Sequence, residues 1–273
     1  MRCKYFNDLS DDWIQEKMKC TNLYERKRVR KIRELIDDKR KGANRCFSAQ
    51  EFTDFLRFKG LGRSVDAFLE RYEHTNKVEK VTGKIFESEL QSLSFNSTND
   101  QLSRKKIIDA IRELLNDLQT LDFVGVPVAS ACLALCFPEL CGTVDYIVPA
   151  MLHNEYDDLG KSNPLFMNAA ISKKIRESLL LPVYKSLTPK EARDLGTSDY
   201  TLYLQELWNI KGNFGSNHQI REIEVAFWSF GICYLKKQKR DEKLPLEFSD
   251  KPNPPKGGSF SKYCPNDLLG SGV

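Results

Sequence analysis

Apolar residues in this chain recur at three- and four-residue steps in segment after segment, the period of helices with one buried face. Over residues 22–41, Leu23, Val29, Ile32, Leu35 and Ile36 keep that spacing with charges between them. A helix is expected there, capped by Asn22 and stopped at Gly42. Ser48 and Glu51 make a capping-box pattern for a second helix, with Phe52, Phe55, Leu56 and Phe58 on its apolar face and Gly60 at its end. Two more helices are predicted. Residues 63–72 would turn Val65, Phe68 and Leu69 inward, and 75–93 would turn Val78, Val81, Ile85 and Leu93 inward. Residues 94–101 have the composition of a loop and are read as the crossing between two lobes.

The second half repeats the pattern. Residues 102–120 are amphipathic, with Ile107, Ile108, Ile111, Leu114, Leu115 and Leu118 on one side. A tight turn over 120–125 leads into an apolar helix over 126–137. Pro138 and Gly142 break it, and Asp145 opens another helical run to about residue 152. Helices are expected again over 165–182, 189–195 (begun at Thr188, with Glu191 three residues on), 200–210 and 221–236. No run alternates long enough to require a sheet, and no repeat of fixed period occurs. The reading is an all-α, two-lobed helical fold with a helix-hairpin-helix motif. It divides into an N-terminal helical lobe over 1–100, a hairpin-containing lobe with closing helices over 101–243, and a Pro- and Gly-rich tail over 244–273 expected to be extended or disordered.

Composition narrows the setting. The chain has 273 residues and 41% apolar content, enough for a substantial core. The longest apolar run, 123–137, is interrupted by Gly125 and Pro127, so no membrane span and no membrane partner are expected. Acids stand near the N-terminus where a signal peptide needs an apolar stretch, so an intracellular protein, cytoplasmic or nuclear, is expected. The eight cysteines are irregularly spaced and mostly inside apolar segments, the pattern of free thiols in a reducing compartment. Cys132 and Cys136 lie four apart in an apolar helix with no CxxC or His nearby, so no metal is expected there.

The net charge of +4 is uneven: residues 1–63 hold 17 Lys/Arg against 10 Asp/Glu, a net +7, which leaves −3 for the rest. A basic N-terminal quarter suits a nucleic-acid footprint, and it also suits ordinary solvated helices.

The most informative stretch runs from Leu118 to Met151, helix, glycine turn, helix, loop, and an acid at a helix start. A tight turn between helices exposes backbone N–H groups, and the following helix adds its partial positive charge. Together they can hold a phosphate without reading sequence. Gly125 removes a Cβ from the approach, and the small Ala129 allows close helix packing.

The stretch from Leu121 to Ser130 resembles the hairpin of the helix-hairpin-helix DNA glycosylase superfamily, roughly Leu-Pro-Gly-apolar-Gly-x-x-x-Ala. Phe137-Pro138 through Val144-Asp145 resembles that superfamily's loop and shared carboxylate, at a similar distance from the hairpin. Arg221, Glu224, Trp228 and Gly231 are spaced like a closing helix of the same group. The resemblance implies a double-stranded-DNA partner, a flipped base and a catalytic Asp145. The backbone would be held at Phe123, Gly125, Val126 and Ala129, with Arg28, Arg30, Lys59 and Arg63 as auxiliary charges. Two residues depart from the pattern. Phe123 stands where the first hairpin glycine would be, and Pro127 stands where bifunctional members carry a lysine nucleophile. Proline cannot form a Schiff base, so the implied enzyme is a monofunctional N-glycosylase without lyase activity. With only Cys233 and Cys264 in the last third, the four-cysteine iron–sulfur loop of some relatives cannot be built, and no cofactor is expected.

Each residue also has a plainer role. Asp145 can be a helix N-cap. Tyr200, Tyr203, Trp208 and Trp228 can stack on an extruded base or fill the core. His153 and His218 have no partner acid at motif spacing. The leading expectation is a monomeric base-excision repair glycosylase. Its rivals are a non-enzymatic helix-hairpin-helix DNA binder and a helical protein-interaction domain.

Overall fold

The computed structural model describes residues 11–19, 23–98, 100–144, 148 and 196–229, and among them every regular element is helical, with no strand. The fold is all-α. In chain order the helices are α1 (Asp11–Lys19), α2 (Leu23–Lys41), α3 (Ala49–Phe58), α4 (Val65–Tyr72), α5 (Lys77–Glu87), α6 (Gln101–Gln119), α7 (Val126–Cys136), α8 (Thr197–Phe214) and α9 over 220–229.

Local chemistry fixes several ends. Ser48 caps α3 as its spacing predicts: the Ser48 hydroxyl accepts from the Glu51 amide at 3.2 Å, and the Glu51 carboxylate accepts from the Ser48 amide at 2.8 Å. Gly60 ends it in the left-handed region at φ 77°. The amides of Leu61 and Gly60 reach back to Leu56 and Arg57 at 2.9 and 3.1 Å, the paired bonds of a Schellman motif. Asp100 caps α6 by accepting from the Ser103 amide at 2.7 Å.

Three boundaries differ from the periodic reading. The helix expected over 63–72 begins as a 3-10 turn, Gly62–Ser64, before α4. The helix expected over 75–93 stops at Glu87, because Ser88 turns the backbone out to ψ 139°. The Ser88 hydroxyl then caps a separate 3-10 turn, Glu89–Ser92. The loop expected over 94–101 contains another, Phe95–Thr98, with Thr98 buried. The expected elements at 165–182 and 189–195, the tail over 244–273, Asn22 and His153 lie outside the described residues.

The core is continuous across residue 100. Phe47, Phe52, Phe55, Phe68 and Phe86 form an aromatic cluster with ring centroids 5.2–5.7 Å apart. It joins the buried faces of α6 and α7, because α2 and α3 pack on α7 and α5 packs on α6. Each such side chain stabilises the fold by about 1.5–3 kcal/mol when fully buried. The helix α7 is apolar all round and buried along its length, as an element at the centre of the bundle must be. None of the described helices is long and apolar enough to cross a membrane.

Candidate nucleic-acid interface

The turn between α6 and α7 is built from alternating buried and outward residues. Leu121 and Val124 bury their side chains, while Asp122 and Phe123 point outward between them. The Val124 amide donates to the Leu121 carbonyl at 3.2 Å and closes the turn. Phe123 sits at φ 66°, the one non-glycine residue with positive φ among the described residues. Gly125 is the N-cap of α7, and its carbonyl accepts from the amides of Val128 and Ala129 at 3.0 Å each. Pro127 occupies the first turn of α7, where its missing N–H costs nothing. The amides of Phe123, Gly125 and Val126 have no acceptor among the described residues, but Val126, expected to hold the backbone, is buried, so its amide is not open to a ligand.

Gly125 is not required by the fold. Its φ of −83° suits any residue. A Cβ there would meet nothing nearer than the Pro127 Cδ at 3.7 Å. Ala129 is fully buried, in keeping with the close packing of α6 on α7.

The turn is fastened to the α4–α5 corner. The Tyr72 hydroxyl donates to the Asp122 carboxylate at 2.6 Å and accepts from the Asp122 amide at 2.9 Å. The Arg71 guanidinium pairs with the same carboxylate at 2.6 Å. Lys77 donates to the Thr120 carbonyl at 2.7 Å and lies over the Tyr72 ring at 5.6 Å from its centroid. The Tyr72 hydrogen bond, helped by Arg71 and Lys77, holds the Asp122 carboxyl below its ordinary value. Burial, reinforced by that carboxylate, pushes the Tyr72 phenol above its own.

The cations expected from sequence sit elsewhere. Arg28 donates to the Arg57 carbonyl at 2.6 Å, at the C-terminal end of α3. Arg30 pairs with Glu34 along α2 at 3.5 Å, with both side chains exposed. Lys59 caps the C-terminus of α3. Arg63 is exposed in the 3-10 turn that opens α4, at the opposite end of that helix from Tyr72. Among the described residues the cations in contact with the turn are Arg71 and Lys77, which sequence reasoning passed over. Nothing local to residues 71–77 ties them to residue 122.

Beyond α7 the chain runs through a buried loop, and side chains from several helices satisfy its backbone. Arg40 of α2 donates to the Cys136 carbonyl. The Arg221 amide donates to Pro138 at 3.1 Å, Trp208 Nε1 to Leu140 at 2.7 Å, Tyr200 to Gly142 at 3.0 Å and Tyr203 to Thr143 at 3.3 Å. In return, the Ser130 hydroxyl accepts from the Val144 amide at 3.1 Å, and Glu224 accepts from Thr143 at 3.3 Å while ion-paired to buried Arg221. Tyr200, Tyr203 and Trp208 are therefore core residues with polar tips spent on this loop. Gly142 lets it pass close to α8, since a Cβ there would come within 2.7 Å of Leu207 Cδ1. Asp145, one residue beyond the clamped Val144, lies outside the described residues.

Cys132, Cys136 and Cys141 are buried free thiols beside this loop. Burial raises the Cys132 thiol well above its ordinary value and the Cys141 thiol to about 12, which leaves them poor nucleophiles. His218 has an acid partner after all: its Nδ1 is 3.0 Å from Glu222, and its Nε2 is 3.2 Å from the Asp11 carbonyl, where it ties α1 to the start of α9.

No protein-family model, curated protein or solved structure matches this chain.

Proposed function

We propose that this chain binds the sugar–phosphate backbone of double-stranded DNA through the α6–α7 turn, and that it serves base-excision repair as a monofunctional DNA N-glycosylase. One observation carries the binding half. The Gly125 amide stands without an acceptor at the start of α7, on a turn anchored through Asp122 and Thr120 beside Arg71 and Lys77. An unpaired amide at a helix start, a glycine the fold does not need and two neighbouring cations suit a phosphate and read no base.

The catalytic half rests on Asp145 and Pro127. A carboxylate can activate water or stabilise an oxocarbenium-like sugar. The clamped loop over 137–144 supports a positioning role for the segment that leads to Asp145, because satisfying eight mostly buried residues of irregular backbone needs side chains from several helices. Pro127 supplies no amine, so base loss would be hydrolytic.

A second reading, a non-enzymatic binder using the same turn, is favoured by one fact. Tyr200, Tyr203 and Trp208 are occupied with the loop and are not available to stack on a base.

The test is duplex binding against salt concentration. Affinity should be independent of sequence and fall steeply with salt, and Lys77→Gln should flatten the log–log slope by about 1. Absence of duplex binding at low salt would remove both DNA readings.

A further inference from the structure

We infer that Phe123 is a wedge: its ring enters the DNA base stack while the nearby Gly125 amide holds the backbone. This inference rests on the proposed binding of duplex DNA through the same turn and adds a role for one residue to it.

The backbone at Phe123 is the first observation. A φ of 66° is a conformation that bulky L residues rarely adopt, and glycine or asparagine fits it better. A residue kept there against its own preference must bring something the turn itself does not use. Exposure is the second observation. The Phe123 side chain is 43% exposed, one of two large apolar side chains so exposed among the described residues, and it is not among those packed against the core. The strain is therefore not offset by burial within the described fold.

Rigidity is the third. The residue before Phe123 is fixed by three bonds: Tyr72 to the Asp122 carboxylate, the Asp122 amide to Tyr72, and Arg71 to the same carboxylate. The residue after it is buried and closes the turn. A stiff tip loses little conformational freedom when it inserts, which is what a wedge needs. The fourth is the company it keeps. Phe123 follows Thr120 and Asp122, which Lys77 and Arg71 hold, and stands two residues before Gly125, whose amide has no acceptor among the described residues. An apolar blade flanked by phosphate-binding groups is the pattern of side chains that part a base step and bend the duplex. Inserted rings gain stacking and are tolerant of sequence, since every base offers a π-face. The same step would weaken local stacking, the barrier that any enzyme acting on a flipped base has to overcome.

The test compares wild type with Phe123→Gly, Phe123→Asn and Phe123→Trp on a duplex with 2-aminopurine at successive positions. Wild type should raise 2-aminopurine fluorescence at one step of its footprint, and the Trp variant should do the same. The Gly and Asn variants should lose that signal and bind roughly tenfold more weakly. Their salt slope should be unchanged, because no phosphate contact is removed. Both should gain thermal stability, Phe123→Gly by about 2 °C, since the strained φ is relieved. Two small variants keep the result readable if one of them folds poorly. Wild-type binding that the Gly and Asn variants match in affinity and fluorescence would overturn the wedge and leave backbone binding intact. So would a ring-dependent dimer in sedimentation with DNA binding unaffected. Failure of wild type to bind duplex at all would overturn the wedge together with the proposed function.

Discussion

Tyr72 and Asp122 bond to one another twice, hydroxyl to carboxylate at 2.6 Å and amide to hydroxyl at 2.9 Å, across fifty residues of chain. A single phenol thus satisfies both the side chain and the main chain of the residue at the tip of the α6–α7 turn. Its ring packs into the aromatic core against Phe68, with centroids 4.9 Å apart. The turn is therefore coupled to the core of the N-terminal helices, and a partner held by the turn is held by the whole bundle.

Removing the hydroxyl tests that coupling. Tyr72→Phe keeps the ring but leaves the Asp122 amide and carboxylate without their shared partner, and it should cost about 1–2 kcal/mol in urea unfolding. The pH dependence has a definite sign. The Asp122 carboxyl is held below its unfolded value, so its contribution is present above the ordinary carboxylate range and is lost as pH falls through the depressed folded value. Wild type should lose stability over that acid window, and Tyr72→Phe should lose less of it. Equal acid sensitivity in the two proteins would show that the bond does not couple to the turn.

Two glycines seventeen residues apart should respond oppositely to alanine. At Gly142 a Cβ would lie 2.7 Å from Leu207 Cδ1 and 3.4 Å from Glu224 Cβ, both fully or nearly buried. Gly142→Ala should cost roughly 1–3 kcal/mol by overpacking and loosen the loop that α8 and α9 clamp. At Gly125 the nearest atom is 3.7 Å away and φ is ordinary, so Gly125→Ala should change stability by less than about 1 kcal/mol, mainly through the poorer N-cap. If the turn holds a phosphate as proposed, its effect should fall on DNA binding, where the new methyl would stand in the path of the phosphate. Thermal melts and duplex titrations of the two variants check the contrast, and unimpaired DNA binding by Gly125→Ala would argue against the amide cradle.

Much of the helical layout was legible because its causes are local. The Ser48–Glu51 box, the stop at Gly60 and the apolar stripe from Ile107 to Leu118 each lie within a few residues of what they determine. Ser88 was passed over because periodicity runs through it, while its own hydroxyl starts a new turn. The site was harder for a different reason. Position 123 could be recognised as the place of a missing glycine, but the turn's demand for positive φ with phenylalanine present is visible only in the backbone. Arg71, Lys77 and Tyr72 reach the turn through tertiary packing, which no spacing within 71–77 encodes. Tyr200, Tyr203 and Trp208 carried a core-like period, yet their bonds to the carbonyls of 140–143 depend on how α8 docks.

The most exposed expectation concerns Asp145 and the chemistry proposed for it. Each of a panel of duplexes would carry one base lesion and be incubated with the protein, and abasic sites would be counted. The chain should release one class of damaged base and leave the strand uncut. Pro127 occupies the first turn of α7 and offers no amine, so no imine should form and no β-elimination should follow. Borohydride should therefore trap no covalent adduct, and a trapped adduct would point to another lysine as nucleophile. Asp145→Asn preserves size and capping ability and removes only the charge. It should lower excision by roughly 10²–10⁴-fold, the usual contribution of a positioned acid or base. Its melting temperature and its affinity for undamaged duplex should stay close to wild type, because the backbone contacts proposed for the α6–α7 turn do not involve it. Full excision by the Asn variant would reduce Asp145 to a helix cap. Absence of excision by wild type across the panel would leave the turn as the working part of a DNA-binding protein without glycosylase chemistry.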